Sequence, residues 1–252
     1  MRLKDKAIIV TGGGVGIGRA YSLALAKEGA KVVVADIQDK EAEKVAAEIK
    51  RLDGEALAVP VDVTSPEKTK EMARAALQKY DRIDVLVNNA ALYSAIKKKP
   101  FSQISEEEWD RVMAVNVKGL FLCVQAVYPA MKKQGKGKII NISSGTAISG
   151  TPFFLHYVTS KGGVIGFTRA LARELGPDNI AVNAITPGLT ISGPQQEGVL
   201  TPEQLADRRR RRCFQRDQYP QDLVGTMIFL CSDDSDFVTG QTINVDGGAN
   251  MY

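Results

Sequence analysis

A tyrosine and a lysine four positions apart, Tyr157 and Lys161, form the pair in this chain that is best suited to proton transfer. On a helix, residues four apart lie on one face, one turn above the other. A free phenol titrates near ~10, and a fixed positive charge nearby favours the phenolate and lowers that pKa. The pair therefore predicts a hydroxyl that takes a proton from an alcohol, or gives one to a ketone, near neutral pH. In isolation such a spacing more often marks a half-buried tyrosine beside a solvated lysine.

A glycine-rich stretch near the N-terminus predicts a site for a dinucleotide. An apolar run, residues 7–10, leads into Thr11-Gly12-Gly13-Gly14-Val15-Gly16-Ile17-Gly18, and a helical pattern follows. Glycines let the backbone approach a ligand, and the free N–H groups of a helix start attract phosphate. Asp36 ends the next strand-like run, at the spacing where a carboxylate accepts hydrogen bonds from the adenosine ribose hydroxyls.

The same carboxylate predicts which cofactor binds. A 2′-phosphate would be repelled by Asp36, and the neighbours Val15 and Ile37 supply no compensating positive charge. We therefore expect NAD rather than NADP.

The elements that must position these residues alternate along the chain. Strand-like runs cover residues 7–10, 31–35, 55–61, 84–87, 139–142, 180–185 and 241–245, with helical patterns between them. This order predicts an α/β fold with a parallel sheet and helices on both faces. Because ligands bind at the carboxyl ends of such strands, we expect Asp36, Asp62 and Asn89 to lie on one rim.

Composition and charge argue against several classes of protein. Hydrophobic residues make up 44% of the 252 and charged residues 25%, as in ordinary globular chains. A net charge of +4 is too small to imply nucleic acid, and no apolar run approaches the ~18 residues of a membrane span. The three cysteines and the single histidine, His156, have no metal-ligand spacing. We expect one domain over residues 1–252 in the cytoplasm, with no secretory signal and no metal, membrane or nucleic-acid partner.

A long segment, residues 189–220, interrupts the alternation before the last helix, and we expect it to be a substrate lid. It contains five consecutive arginines, Arg208 to Arg212, which no single helix face can carry together. Three interpretations stay open. The run is a solvated lid surface, the usual role of such runs, or one or two arginines reach an anionic substrate. A nucleic-acid role lacks the broad basic face and stacking aromatics that it requires.

Together, these motifs resemble those of the short-chain dehydrogenase/reductase family over essentially the whole chain. The matching pieces are Thr11-Gly12-x-x-x-Gly16-Ile17-Gly18, Asp62-Val63, Asn88-Asn89-Ala90, Asn116, Ser144, Tyr157-x-x-x-Lys161, Pro187-Gly188 and Asp246-Gly247-Gly248. The resemblance implies a single-domain Rossmann fold whose seven-stranded parallel sheet is flanked by helices on both faces. It also implies a homotetramer and hydride transfer at the nicotinamide C4.

The resemblance assigns roles to individual residues. Tyr157 would be the general acid/base, and Lys161 would lower its pKa and bind the nicotinamide ribose. Ser144 would hydrogen-bond the substrate oxygen, and Asn116 would hold a water that links Lys161 to solvent. Cofactor contacts are expected from Gly12, Val15, Gly16, Ile17, Gly18, Asp36, Ile37, Asp62, Val63, Asn89, Ala90, Tyr157, Lys161, Pro187, Gly188, Thr190 and Ser192.

Two positions differ from the usual pattern of the family, and a histidine adjoins the predicted catalytic tyrosine. Ala91 stands where the family usually has glycine, and Ser192 where a threonine commonly contacts the carboxamide. His156, next to Tyr157, is interpreted as a pocket wall or a structural residue.

The expected function is that of an NAD-dependent secondary alcohol dehydrogenase for a cyclic, aryl or sugar-like substrate, neutral or anionic. The alternatives are an NADPH-dependent 3-oxoacyl thioester reductase and a protein that binds NAD without turnover.

Overall fold

Seven parallel strands form the centre of the computed structural model, which describes residues 1–193 and 201–251. Their order across the sheet is β3-β2-β1-β4-β5-β6-β7. The strands are β1 (Ala7–Thr11), β2 (Lys31–Asp36), β3 (Glu55–Pro60), β4 (Val85–Asn88), β5 (Gly137–Ile142), β6 (Ile180–Pro187) and β7 (Thr242–Val245). The predicted Rossmann sheet is confirmed.

Nine α-helices of the described residues connect or cover these strands. They are α1 (Gly16–Lys27), α2 (Asp39–Arg51), α3 (Pro66–Tyr80), α4 (Glu106–Met113), α5 (Gly119–Gln134), α6 (Thr146–Ser149), α7 (Leu155–Leu175), α8 (Pro202–Arg210) and α9 (Gln221–Cys231). The helix of Tyr157, α7, begins at Leu155, so the tyrosine lies in its first turn.

The sheet is buried on both faces because helices pack on each side. Ile8 of β1 lies in one hydrophobic core and Ile9 in the other, as the alternation of side chains along a strand requires. Helices α1, α2 and α9 supply the first core, with Leu25, Ile49 and Met227 among its members. The predicted arrangement with helices on both faces is confirmed.

The strand order reverses at β1, which pairs with both β2 and β4. Val10 is in register with Val34 of β2 and with Val87 of β4. In open α/β sheets the crevice beyond the carboxyl ends of the strands at such a reversal is the ligand site. The glycine-rich turn after β1 therefore begins where a dinucleotide binds in this class of fold.

The sequence predicts one long helix through Asn116, but the structure contains a wider turn there. Residues Ala114–Lys118 form a π-helix between α4 and α5, a feature that is frequent at functional sites. The combined helix Glu106–Gln134 is long and apolar enough, by length and composition alone, to cross a membrane. Its α5 part packs in the second core through buried residues such as Val127 and Met131.

Serine and threonine side chains cap the starts of three helices. The Ser65 hydroxyl accepts from the Lys68 N–H at 3.3 Å. Ser105 forms a reciprocal capping box with the third residue of α4, and Thr201 forms one with the third residue of α8. Side-chain oxygens thus satisfy N–H groups that a helix start leaves without backbone partners.

Candidate active site

A cavity of about 1810 Å³ opens at the carboxyl ends of the strands. This volume exceeds the ~300–1,000 Å³ of pockets for drug-sized ligands, so a dinucleotide and a small substrate fit together. Every predicted cofactor residue lines it, as do Ser144, Tyr157 and Lys161. Asn116 and His156 are not part of the lining. Of the predicted lid, residues 194–200 lie outside the described residues.

The glycine-rich turn leaves the start of α1 open to an anion. Val15 precedes the helix in an extended conformation, and no side chain of the described residues caps it or supplies an acid to its first turn. The first N–H groups of α1 are thus available to phosphate. Gly12 has a φ of +60°, and a Cβ there would lie 2.9 Å from the Cα of Ala90. At Gly18 a Cβ would collide with the carbonyl oxygen of Gly12.

Asp36 is a buried carboxylate held by two backbone N–H groups. Its two oxygens accept hydrogen bonds of 2.9 Å from Gly14 and from Gln38, and only 3% of the residue is exposed. The nearby lining includes one arginine, Arg19, whose guanidinium is bound to Glu48 at 2.7 Å. The acid therefore faces the turn, and the arginine that follows this turn is already paired.

Asn89 joins the end of β4 to the glycine-rich turn. Its side-chain amide donates to the carbonyls of Thr11 and Gly12, each at 3.0 Å. The Thr11 hydroxyl in turn accepts from the N–H groups of Asn89 and Ala90. Ala91, which replaces the usual glycine, has a negative φ, so its Cβ strains no backbone. This network positions the turn.

Asp62 and Val63 lie beyond β3 on the same rim. One oxygen of Asp62 accepts from both the N–H and the hydroxyl of Thr64, at 2.9 and 2.7 Å. Val63 is buried and packs in the second core, while Ile37 remains 70% exposed beside Asp36. Apolar side chains thus border this end of the cavity.

The segment after β6 returns toward the glycine-rich turn. The Ser192 hydroxyl lies 3.3 Å from the position of a Cβ on Gly16, and the Thr190 hydroxyl donates to the Gly188 carbonyl at 3.1 Å. A Cβ on Gly188 would lie 2.7 Å from the Cβ of Asp246 and 3.1 Å from its Cα, so the chain at Gly188 packs closely against the segment after β7. The described start of the predicted lid therefore lies over the dinucleotide end of the cavity.

Tyr157 lies among aromatic rings and is 6% exposed. Phe154 stacks on it with centroids 4.6 Å apart, and Tyr93 lies at 5.3 Å. Burial raises the pKa of the Tyr157 phenol above its ordinary value, Tyr93 adds to that shift, and hydrogen bonding with Ser144 opposes it. The Ser144 hydroxyl accepts from the Thr146 N–H and hydroxyl, at 3.2 and 3.0 Å, which fixes its position.

Lys161 donates from Nζ to the Ile142 carbonyl at the end of β5, at 2.8 Å. That nitrogen is 5.7 Å from the centroid of the Tyr157 ring. Burial lowers the pKa of Lys161 to about 8. Burial thus raises the Tyr157 pKa in the free protein, and the lowering of that pKa by the Lys161 ammonium stays a prediction.

Asn116 is fully buried in the π-helical turn. Its side-chain oxygen accepts from the Leu92 N–H at 2.7 Å, and its nitrogen donates to the Leu92 carbonyl and to the Ser160 hydroxyl. It therefore joins the loop after β4 to the helix that carries Tyr157 and Lys161. A role in holding water stays a prediction.

Several residues that line or position the site received no individual role from the sequence. Tyr93, Lys98 and Phe154 line the cavity but lie in loops, where no periodic pattern marks them. Asp246 accepts from three consecutive backbone N–H groups, of residues 248–250, and so orders the C-terminal loop beside the cavity. His156 is buried in contact with Phe154 at 6.1 Å between centroids, which places it outside the pocket wall.

Comparisons with known proteins bear on this site. A protein-family model described as enoyl-(acyl carrier protein) reductase matches residues 13–250. A 3-oxoacyl-[acyl-carrier-protein] reductase from Thermotoga maritima is 40% identical over 98% of this chain and 99% of its own length. A probable galactose dehydrogenase from Rhizobium meliloti is 40% identical over 98% of this chain and 95% of its own.

Among solved structures, a 7α-hydroxysteroid dehydrogenase in complex with NADH and 7-oxo glycochenodeoxycholic acid superimposes with a TM-score of 0.92. It is 36% identical, and the match covers 98% of this chain and 95% of that chain. The relatives thus share the fold over the whole chain while their names give different substrates.

Proposed function

The chain belongs to the short-chain dehydrogenase/reductase family, and on that premise we propose that it is an NAD-dependent dehydrogenase of secondary alcohols. The supporting observation is that Ser144, Tyr157 and Lys161 line the same cavity as the open start of α1 and Asp36. Cyclic, aryl and sugar-like alcohols are the proposed substrates. The names of a galactose dehydrogenase and a hydroxysteroid dehydrogenase among its relatives agree with this range.

The residues of the cavity fit NAD. The uncapped N–H groups at the start of α1 would hold its diphosphate, and Asp36 would accept from the adenosine ribose hydroxyls. Ile37, Asp62 and Val63 would border the adenine. The nicotinamide end would be held by the remaining predicted contacts, Asn89, Ala90, Tyr157, Lys161, Pro187, Gly188, Thr190 and Ser192.

Each catalytic side chain has a distinct task in alcohol oxidation. Bound NAD supplies the hydride acceptor, its nicotinamide C4. The Tyr157 oxygen takes the hydroxyl proton, and Ser144 hydrogen-bonds the substrate oxygen and orients it. Phe154 and Tyr93 exclude water from the phenol. Burial favours the neutral phenol. The positive charge of Lys161 acts against burial and supports the phenolate form that oxidation requires.

A second candidate function is an NADPH-dependent 3-oxoacyl thioester reductase. The name of the Thermotoga maritima relative supports it. The buried carboxylate of Asp36 opposes it, because a 2′-phosphate next to this acid would be repelled. The ratio of kcat/KM for NAD and NADP, measured with one substrate pair, separates the two candidates.

The test of catalysis is NAD reduction by the purified protein with a panel of secondary alcohols. We expect turnover with at least one alcohol, and a loss of at least about 100-fold in kcat on Tyr157→Phe. Binding of NADH, followed by fluorescence, should survive in this variant. Binding without turnover in the wild type would instead support the alternative of a non-catalytic NAD-binding protein.

We further propose that the protein is a cytoplasmic homotetramer with residues 189–220 as its lid. The three cysteines are unpaired, which agrees with a reducing compartment. Light scattering coupled to size-exclusion chromatography measures the assembly, and a monomeric or dimeric mass would contradict the tetramer.

A further inference from the structure

Three of the five consecutive arginines in the lid are bound to the protein itself. Arg209 donates to both carboxylate oxygens of Asp217, at 3.0 and 2.7 Å. Arg211 pairs with Asp207 at 3.0 Å. Arg212 is 7% exposed and donates to two backbone carbonyls of the lid, at 2.8 and 2.7 Å. The arginine run therefore does not form one continuous basic surface.

Arg208 is arranged differently from these three. It is half-buried, lines the cavity, and makes neither an ion pair nor a hydrogen bond within residues 1–193 and 201–251. Lys98, in the loop after β4, lines the same cavity and also has no carboxylate partner among those residues. Arg210 also lines the cavity and is unpaired within the described chain; it is exposed, as Lys98 is, whereas Arg208 is half-buried.

The charges of Arg208 and Lys98 act on each other across the cavity. Partial burial lowers the pKa of Lys98, and the positive charge of Arg208 lowers it further. The same guanidinium opposes the rise that burial causes in the pKa of Tyr93. Arg208, Lys98 and Tyr93 line the same cavity, and the Tyr93 ring contacts Tyr157.

Lys98 is separated from the catalytic phenol by one aromatic ring. Its Nζ lies 5.9 Å from the centroid of the Phe154 ring, and that ring stacks on Tyr157. A substrate with its carbinol at Tyr157 would extend along Phe154 and Tyr93 toward Lys98 and Arg208. Lys98 thus lies beside the aromatic wall of the reacting centre, and Arg208 lines the same cavity.

The acids of the cavity wall near these cations are already engaged. Asp207 is held by Arg211. Hydrogen bonds with its own backbone and with Thr201 lower the pKa of Glu203 at the start of α8. Two like charges that face one cavity repel each other, and a bound anion would relieve that repulsion. The planar guanidinium of arginine suits a carboxylate in particular, because it donates two parallel hydrogen bonds.

We propose that the alcohol substrate carries a carboxylate, which Arg208 and Lys98 bind at the end of the cavity beyond Phe154. This inference rests on the proposed dehydrogenase activity and names the substrate class of that same site. Arg208 is then a determinant of substrate specificity, while Arg209, Arg211 and Arg212 hold the lid together.

Three matched pairs of alcohols test the proposal, each pair differing by one carboxylate. They are 1-phenylethanol and 4-(1-hydroxyethyl)benzoate, cyclohexanol and 3-hydroxycyclohexanecarboxylate, and 2-butanol and 3-hydroxybutanoate. At saturating NAD and fixed ionic strength, we expect the carboxylate to have about tenfold higher kcat/KM in at least one pair. Arg208→Gln and Lys98→Gln should each lower that value by about tenfold, mainly through KM, and change the neutral partner by less than about twofold.

A neighbouring residue outside the cavity lining serves as the control. Lys97→Gln removes the same charge from the loop that carries Lys98, so a general effect of net charge would appear in it too. Higher kcat/KM for the neutral member of every pair, or equal losses for both members in Arg208→Gln, would overturn the proposal. A phosphate ester that exceeds every carboxylate would overturn the carboxylate assignment.

The experiments distinguish a failure of the carboxylate subsite from a failure of the dehydrogenase activity. If neutral alcohols reduce NAD and Tyr157→Phe abolishes the reaction, the dehydrogenase stands even where the carboxylate subsite falls. If no alcohol of either kind is oxidised, the dehydrogenase proposal falls and the substrate class falls with it.

Discussion

The Asp36 carboxylate accepts a hydrogen bond of 2.9 Å from the backbone N–H of Gly14. This contact joins the end of β2 to the glycine-rich turn after β1. A second bond from Gln38 fixes the other carboxylate oxygen, so the negative charge has one position at the adenosine end of the cavity. We therefore expect cofactor choice to depend on this fixed acid rather than on a mobile surface charge.

Removing this acid should weaken discrimination against NADP. In Asp36→Ala we expect the ratio of kcat/KM for NADP over NAD to rise by at least about tenfold, because a charge repulsion and the ribose contacts are lost together. Asp39→Ala removes an acid of the same charge that lies outside the cavity lining and should leave the ratio unchanged. Unaltered selectivity in Asp36→Ala would show that Asp36 does not contact the ribose.

Alcohol oxidation should accelerate as pH rises. Burial raises the pKa of Tyr157, so the phenol is protonated at neutral pH and the phenolate that accepts the proton becomes available only in alkali. Ketone reduction uses the protonated phenol and should not show this rise. Rate profiles for both directions, at saturating cofactor, measure the difference.

The charge of Lys161 should set where that rise occurs. In Lys161→Met the rising limb for alcohol oxidation should move to higher pH and the maximal rate should fall, because nothing then offsets the desolvation of the phenolate. Lys118→Met, an exposed lysine outside the cavity lining, should leave the profile in place. An unshifted limb in Lys161→Met would remove the electrostatic role of this ammonium.

Lys161→Met should also stabilise the fold at pH 7. Burial lowers the pKa of Lys161 from 10.5 to about 8, which corresponds to about 3 kcal/mol of destabilisation in its charged form. Loss of its hydrogen bond to Ile142 offsets about 1 kcal/mol, so a gain of about 2 kcal/mol in the free energy of unfolding remains.

Urea denaturation at several pH values measures this gain. The unfolded lysine binds a proton more tightly than the folded one, so wild-type stability should rise between pH 8 and 10.5 and the advantage of the variant should shrink there. A variant that is less stable than wild type at pH 7 would contradict the assignment of a costly buried charge.

Ala91 should be the better residue at its position in this chain. Its φ is negative, so Ala91→Gly relieves no backbone strain in the folded protein. The substitution does increase the conformational entropy of the unfolded chain. We expect a loss of about 0.4–1 kcal/mol in the free energy of unfolding and an unchanged KM for NAD. A lower KM for NAD in Ala91→Gly would show that the methyl group narrows the cofactor site.

Local sequence patterns were sufficient for the elements and for most of the lining of the cavity. Strand, glycine-rich turn and helix are encoded by adjacent residues, so the position of Asp36 relative to Gly18 was predictable. The capping serines and threonines marked helix starts, because their hydrogen bonds reach only three residues along the chain. The rim of the parallel sheet followed from the alternation of elements alone.

Packing between distant segments decided the chemistry of the site. The Lys161 ammonium binds a carbonyl 19 residues earlier in the chain, and Tyr157 is buried by rings from separate loops, so their pKa values follow desolvation that no spacing encodes. The π-helical turn depends on the contacts of Asn116 with Leu92 and Ser160. Lys98 and Arg208 meet at one cavity although 110 residues separate them, and only the folded chain could bring those two charges together.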